Sequence, residues 1–282
     1  MIAISIGPID IYRYGIFYVL AFLSAYAFFS LLAKKQVFIK YPRIHLLLQN
    51  HVDDIILYSV LGVLIGGRLG QVLFYDLNYY LTNPIEILQF WKGGMSFIGG
   101  MIGVLISLII FVRKRKLKKY ELVWILDLVL TITPLGIMLG RIGNFLNQEL
   151  YGIIVPYNFW GLSNPIINLF QKLHIFHIYS NIDTFLRVNT NLLASFFEGF
   201  LLLIVTSLIL RNFIRKGTYR IGYITGIFLI WYSSVRFFLE YLRMDSQSEF
   251  IFYLSKSQRF FVVFFAFGLF FLLKKSSKIV IR

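Results

Sequence analysis

Apolar runs about as long as a bilayer is thick, joined by connections in which lysine and arginine gather at every second turn, leave this chain few folds to adopt. The runs are Gly15 to Ala33, Ile55 to Tyr75, Met95 to Val112, Leu122 to Leu139, Leu192 to Leu210, Ile221 to Val235 and Phe260 to Leu273. Each spans, or nearly spans, a hydrocarbon core of roughly 30 Å. The last is short and relies on Arg259 and Lys274 snorkelling at its ends. Backbone groups surrounded by hydrocarbon must bond to one another, so all seven runs are expected to be helices. The expected fold is all-α: a multi-pass membrane protein with seven transmembrane helices, forming one integral unit over residues 1–282. With 58% of residues hydrophobic, an ordinary soluble domain is ruled out.

A formal charge of +15 raises the question of nucleic acid, but the positive residues are not collected on a soluble domain. Lys34, Lys35, Lys40 and Arg43 follow the first run, and Arg113 to Lys119 follow the third. Arg211, Arg215, Lys216 and Arg220 follow the fifth, and Lys274, Lys275, Lys278 and Arg282 end the chain. The intervening connections are poor in lysine and arginine. Positive-inside counting therefore places the N-terminus outside and the C-terminus in the cytoplasm, with the basic loops against anionic lipid headgroups. No nucleic-acid partner is expected. The longest connection, residues 141–191, falls outside and is expected to form a small external cap. The N-terminus lacks a basic n-region and a small-residue cleavage site, so the first run reads as a retained helix. No internal repeat suggests an inverted-repeat transporter. The chain has no cysteine, hence no thiolate nucleophile or thiolate metal site of its own.

A charged side chain at bilayer depth costs at least ~2.5 kcal/mol on insertion scales, so each one needs a reason. Counting 1.5 Å per residue, the costly groups fall at one level, that of the outer leaflet. Tyr14 opens the first run, Arg68 lies about 10 Å below the outer end of the second, and Ser96 stands at the start of the third. Arg141 closes the fourth run, Glu198 lies just inside the fifth, and Arg236, Glu240 and Arg243 close the sixth. Only Asp127 sits toward the cytoplasmic half. Directly behind the fourth run comes GRIGNFLNQELYG, Gly140 to Gly152, adding Asn144, Asn147 and Glu149. Guanidinium groups in this number suit a phosphate, which their planar forks grip by paired charge-assisted hydrogen bonds. Snorkelling or structural pairing with Glu149, Glu198 or Glu240 is the alternative for any single arginine. The glycines of GGRLG (Gly66 to Gly70), with Gly99, Gly100 and Gly103, read as close helix-packing positions.

At these residues the chain resembles the bacterial prolipoprotein diacylglyceryl transferases, whose signature reads G-R-x-G-N-F-x-N-x-E-x-x-G. Arg141, Asn144, Phe145, Asn147, Glu149 and Gly152 fall at the signature spacing. IYRYGIFY near the start, the stretch from GGRLGQVLFYDLNYY to KGGMSF, and YSSVRFFLEYLRMD at Tyr232 to Asp245 match in the same order. The resemblance implies a seven-span protein of the bacterial cytoplasmic (inner) membrane with its active site facing the outer leaflet. Its implied reaction moves the diacylglyceryl group of phosphatidylglycerol onto the lipobox cysteine of a prolipoprotein signal peptide, forming a thioether and releasing glycerol phosphate. Arg141 and Arg236 would hold the phosphate and act in catalysis, Tyr14 and Asn144 would orient the headgroup, and Glu149 and Glu240 would position the arginines. Arg68, Asn147, Gly152 and Arg243 complete the expected lipid-binding set. Neither a cofactor nor a metal is expected, the partners are lipid and prolipoprotein, and a monomer is the expected state.

Two positions depart from the family pattern. G-G-M-S-F-H-G-G reads GGMSFIGG here, so Ile98 stands where the family has the histidine proposed as general base; R-H-P-x-Q-L-Y-E reads RVNTNLLA at Arg187 to Ala194. Three readings stay open: another base, thiol ionisation by electrostatics and water, or an inactive lipid-binding homologue. His174 and His177, whose spacing suggests one helical face, are candidate bases. Two histidines alone are too few for a metal site. Glu149 is another candidate, but pairing with an arginine would lower its pKa. An anion channel or transporter is the remaining alternative. Polar residues through the inner half would favour it, and apart from Asp127 the second to fourth runs offer few.

Overall fold

The seven apolar runs are seven helices in the computed structural model. It describes the backbone of residues 2–6, 9–39, 42–89, 94–156, 163–180, 182–244, 254–274 and 278–280, and their side chains except at 2–14, 164, 256 and 278–280. In chain order the elements are β1 (Ile2–Ile6), β2 (Ile9–Tyr12), α1 (Arg13–Lys34), α2 (Pro42–Phe74), α3 (Leu77–Thr82), a 3₁₀ turn (Pro84–Leu88), α4 (Phe97–Lys114) and α5 (Lys119–Leu146). There follow α6 (Asn164–Lys172), β3 (Phe176–Ile178), β4 (Leu186–Val188), α7 (Thr190–Ala194), a π-helical segment (Ser195–Leu201) and α8 (Leu202–Lys216). The chain closes with β5 (Thr218–Arg220), α9 (Tyr223–Glu240), α10 (Lys256–Leu273) and β6 (Lys278–Val280). Among the described residues, five helices are long and apolar enough to cross a membrane: Gly15–Lys34, Pro42–Phe74, Phe97–Lys114, Lys119–Leu146 and Thr190–Lys216. Ser257–Leu273 is a shorter apolar helix. An all-α membrane protein is the resulting class, and its three two-stranded ribbons, β1–β2, β3–β4 and β5–β6, are additions to the bundle.

Helix α2 begins well before its apolar run. Pro42 opens it, where the missing N–H costs nothing, and the helical path breaks at His51 (φ −136°, ψ 20°) before the apolar stretch. Ser96 caps α4, its hydroxyl accepting from Gly99 N at 3.1 Å. The glycine packing expected from the sequence is present. A Cβ on Gly66 would lie 2.6 Å from Gly103 Cα, and one on Gly70 2.5 Å from Gly99 Cα. The α2 and α4 backbones therefore lie in direct contact, as small residues permit in membrane bundles.

Two apolar clusters hold the helices. Phe29, Phe38, Ile55, Phe111, Trp124 and Ile224 belong to the larger, while Ile137, Leu202, Phe228, Tyr232 and Phe261 form the smaller. Asp127, the charge that departed from the common level, is fully buried beside the larger cluster. Its carboxylate accepts from Gly222 N (2.7 Å), Thr225 N (2.8 Å), the Thr225 hydroxyl (2.7 Å) and the Tyr219 hydroxyl (3.2 Å). It caps the first turn of α9 from a neighbouring helix, where an anion also opposes the positive end of the helix dipole.

Candidate functional site

At the C-terminal ends of α5 and α9, two arginines meet one carboxylate. Arg141 Nη2 lies 3.6 Å from Glu198 Oε2, and Arg236 Nη1 lies 3.6 Å from Glu198 Oε1. Arg236 Nη2 also pairs with Glu240 Oε2 at 3.2 Å, one turn further along α9. Arg243 completes the charged surroundings of Arg141. Glu198 is fully buried, and neither of its oxygens receives a hydrogen bond from the described residues. Two guanidinium groups thus converge on Glu198, with Glu240 paired to Arg236 and Arg243 in the field of Arg141. The sequence reading noted Glu198 as a structural pairing partner and assigned the positioning of the arginines to Glu149 and Glu240. Glu240 does pair with Arg236, but the acid shared by the two arginines is Glu198.

Glu198 reaches them through a local irregularity. Residues 195–201 are wound as a π-helix, which turns its side chains by a different angle from the α-helix before and after it. Gly199 lets this segment lie flat on α5, since a Cβ there would come within 2.5 Å of Met138 Cβ and 2.8 Å of Met138 Cα. The Ser195 hydroxyl adds a hydrogen bond to Met138 O at 3.3 Å. Close contact between a glycine and a neighbouring backbone thereby fixes the acid against Arg141.

The segment after Arg141 leaves the helix in a conformation that needs support. Asn147 ends α5, and both Gln148 (φ +54°) and Leu150 (φ +52°) are left-handed without being glycine. Asn191 Nδ2 donates to Glu149 O at 2.6 Å, the Thr190 hydroxyl donates to Leu150 O at 3.0 Å, and Gly152 N donates to Val188 O at 3.1 Å. A Cβ on Gly152 would overlap Val188 O and lie 2.8 Å from Leu242 O, so the final glycine of the signature is a steric requirement. The RVNTNLLA stretch is therefore what braces this loop. Asn189 caps α7 through Leu192 N at 3.2 Å, accepts from the Tyr179 hydroxyl at 3.0 Å, and donates to His174 O at 2.9 Å.

Strands β3 and β4 pair His177 with Arg187. Both turn toward the signature segment: the His177 ring lies 5.0 Å from that of Phe145, while Arg187 donates to Gly152 O at 3.2 Å and stacks on Tyr151 at 4.8 Å. The expected helical face for the two histidines is not formed, because α6 ends at Lys172, His174 is left-handed (φ +55°) and His177 belongs to a strand. Their rings nevertheless lie 5.7 Å apart. Burial and the neighbouring His174 hold the His177 imidazole below its ordinary pKa, and burial pushes Tyr179 up to about 12. The Arg187 guanidinium, an ion-pair partner of Asp183, holds that carboxyl below the usual range.

The other predicted residues are distributed as follows. Arg68 is buried, but its guanidinium turns to the connection before α4, donating to Ile87 O (3.0 Å), Gly94 O (3.1 Å), Gln89 O (3.2 Å) and Glu86 O, and stacking on Tyr80. The fork that was expected to add charge to a phosphate site thus gathers main-chain carbonyls from the loop between α3 and α4. Asn144 is buried one turn beyond Arg141, and Asn147 Nδ2 donates to Glu149 Oε1 at 3.3 Å. Tyr14 lies in the first turn of α1, with its side chain outside the described residues. Tyr18, one turn on, lies in the field of Arg141 and Glu149. Arg243 forms a bridge with Gly152. Ile98 is buried in the first turn of α4, next to Phe97, which stacks on Tyr232 at 5.1 Å.

Comparison with known proteins gives a consistent result. Residues 1–274 match the family model described as prolipoprotein diacylglyceryl transferase. A phosphatidylglycerol–prolipoprotein diacylglyceryl transferase from Janthinobacterium sp. (strain Marseille) is 40% identical over 246 residues, covering 86% of this chain and 82% of its own length. Proteins of the same name from Wolbachia sp. subsp. Drosophila simulans (strain wRi) and Ehrlichia ruminantium (strain Welgevonden) are each 38% identical, covering 85% and 86% of this chain and 80% and 82% of their own lengths.

Proposed function

This chain belongs to the prolipoprotein diacylglyceryl transferase family, and on that premise we propose that it transfers the diacylglyceryl group of phosphatidylglycerol to a prolipoprotein cysteine. The supporting observation is the shared placement of Arg141 and Arg236 on Glu198. In this reading the phosphodiester lies against the two guanidiniums. The cysteine sulfur attacks the glyceryl carbon bonded to the phosphate oxygen; a C–S bond forms and the C–O bond breaks, its electron pair leaving with glycerol phosphate. Charge grows on the phosphate as that bond lengthens, and guanidiniums already in place stabilise it without reorganisation. The same positive field lowers the pKa of a thiol that starts near ~8.5.

The thiol proton cannot go to Ile98. His177 is the base assigned here, directly or through water, since its imidazole is neutral at neutral pH and turned toward the signature segment. Helices α9 and α10 complete seven crossings, with the N-terminus outside and the C-terminus in the cytoplasm, and residues 141–191 form the external cap. That topology places the arginines at the outer leaflet of the bacterial cytoplasmic membrane, where both substrates arrive. The chain works as a single membrane unit and a monomer, and Tyr14, Asn144 and Arg243 contribute to headgroup binding.

The direct test is to incubate purified protein with phosphatidylglycerol and a lipobox peptide, and to look by mass spectrometry for a diacylglyceryl group on the peptide cysteine. A Cys→Ser peptide serves as control. Arg141→Ala is expected to lower transfer by at least about 100-fold, the scale of losing one transition-state donor, while the protein stays inserted. Transfer retained in that variant would remove the phosphate role from Arg141. No product from folded, lipid-binding wild type would favour a lipid-binding homologue without chemistry, the reading motivated by Ile98.

A further inference from the structure

Helix α4 starts at a level that α2 has already passed. Ser96 N donates to Gly67 O at 2.9 Å, which sets the start of α4 beside Gly67, about 10 Å before the last residue of α2. The connection between the two helices therefore has to run back along α2. Arg68 marks how far it returns. Its buried guanidinium donates to the carbonyls of Glu86, Ile87, Gln89 and Gly94 and stacks on Tyr80. That side chain starts about 9 Å before the end of α2, and helical side chains lean toward the helix N-terminus. The 3₁₀ turn Pro84–Leu88 thus lies beside the last turns of α2, not beyond them.

The apolar run of α2, Ile55 to Tyr75, is about 30 Å long, the thickness of a hydrocarbon core, so the level of Arg68 falls inside that core. Irregular backbone is tolerated there only where protein satisfies its polar groups. One arginine serves four carbonyls of the connection, and Glu86, the only charged residue from Leu77 to Gln89, accepts from the Tyr79 hydroxyl at 2.9 Å. The apolar side chains of the same stretch are left uncovered. Ile85, Leu81 and Leu88 are 76%, 71% and 68% exposed, three of the five most exposed large apolar side chains among the described residues. We propose that residues 77–89 form a re-entrant hairpin whose apolar side chains contact the acyl chains of the leaflet in which α2 ends, with Arg68 as the internal donor that lets its carbonyls enter that layer. The partner is a lipid surface because depth, polar satisfaction and exposed apolar area coincide on this one stretch. The inference does not depend on the transferase reading.

A chain without cysteine takes a nitroxide label at one chosen position. Full-length protein carrying Leu81→Cys, Ile85→Cys or Leu88→Cys is labelled and reconstituted in phosphatidylcholine–phosphatidylglycerol vesicles. Paramagnetic resonance then compares collisions with oxygen, which concentrates in hydrocarbon, and with a water-soluble nickel chelate. Ile65→Cys, at an exposed position within the apolar run of α2, is the hydrocarbon reference, and Lys114→Cys, at the end of α4, is the aqueous one. The oxygen-to-nickel ratio at 81, 85 and 88 is expected to match that at 65 and to exceed that at 114 several-fold. A ratio equal to the aqueous reference would overturn the proposal. So would low collision with both reagents, the sign of a protein partner or a second copy over the apolar face. Arg68→Leu, combined in turn with Ile85→Cys and Ile65→Cys, tests the donor: the label at 85 should shift to the aqueous ratio while the label at 65 keeps its own. A label at 85 that stays in hydrocarbon would remove the role given to Arg68. If Arg68→Leu does not insert, Arg68→Lys, which keeps the charge and loses the planar fork, is read by the same ratio.

Discussion

Asp127 and Glu198 are both fully buried acids within the bundle, and their surroundings differ in kind. Asp127 accepts hydrogen bonds from Tyr219, Gly222 and Thr225, so its charge is completed by the protein. Glu198 accepts none from the described residues, and its two arginine partners stand 3.6 Å away. A buried charge surrounded by close donors ties elements together; one held between two cations at longer range sets those cations at a common point. On the transferase reading proposed above, Asp127 belongs to the scaffold and Glu198 to the reacting site.

Exchanging each acid for its amide is the sharpest way to break this comparison. Glu198→Gln is expected to lower transfer about 100-fold, because Arg141 and Arg236 lose the anion that aligns them. Asp127→Asn should instead lower thermal stability in detergent, since the amide cannot serve all the donors at α9, and leave activity per folded molecule unchanged. The opposite pattern would invert the assignment. A smaller effect is expected from Gly199→Ala. The added Cβ meets Met138 and lifts the π-helical segment from α5, and a displacement of this size should reduce transfer roughly tenfold. Full activity would show that the acid is positioned by other contacts.

The smallest effect concerns the ribbon beside the signature segment. His177 has a folded pKa below its unfolded value, so its contribution is present above the unfolded pKa and is lost as pH falls through it toward the lower folded pKa. Asp183, also lowered, loses its contribution as pH falls further, through the unfolded carboxylate pKa and then the folded one. Both signs agree. Amides at 152–155 and 186–188 should exchange faster, relative to the intrinsic rate, at pH 5 than at pH 7, while those around Asp127 stay protected. Equal protection at both pH values would detach His177 from the stability of this layer.

How far the sequence carried the reading follows from how far each signal reaches. Seven apolar runs produced seven helices, because hydrocarbon burial acts on whole segments and tolerates the shift of the second helix start back to Pro42. The gathering of Arg141, Arg236 and Glu240 was legible because a charge in an apolar run is costly and a depth can be counted for it. Arg68 was costly too, but its partners are carbonyls of Glu86, Ile87, Gln89 and Gly94, and a main-chain acceptor leaves no mark in residue identity. The three-residue strands β3 and β4 are too short for alternation to show, so LHIFHIYS read as a helix. The π-helical turn depends on Gly199 meeting Met138, a contact between residues far apart in sequence.

The glycine seam between α2 and α4 has a consequence for traffic in the plane of the bilayer. Where Gly66 and Gly70 press on Gly103 and Gly99, the two backbones leave no slot for a hydrocarbon tail. Diacyl lipid therefore cannot slip sideways through that wall, and any lateral doorway for donor or product has to open on another flank of the bundle.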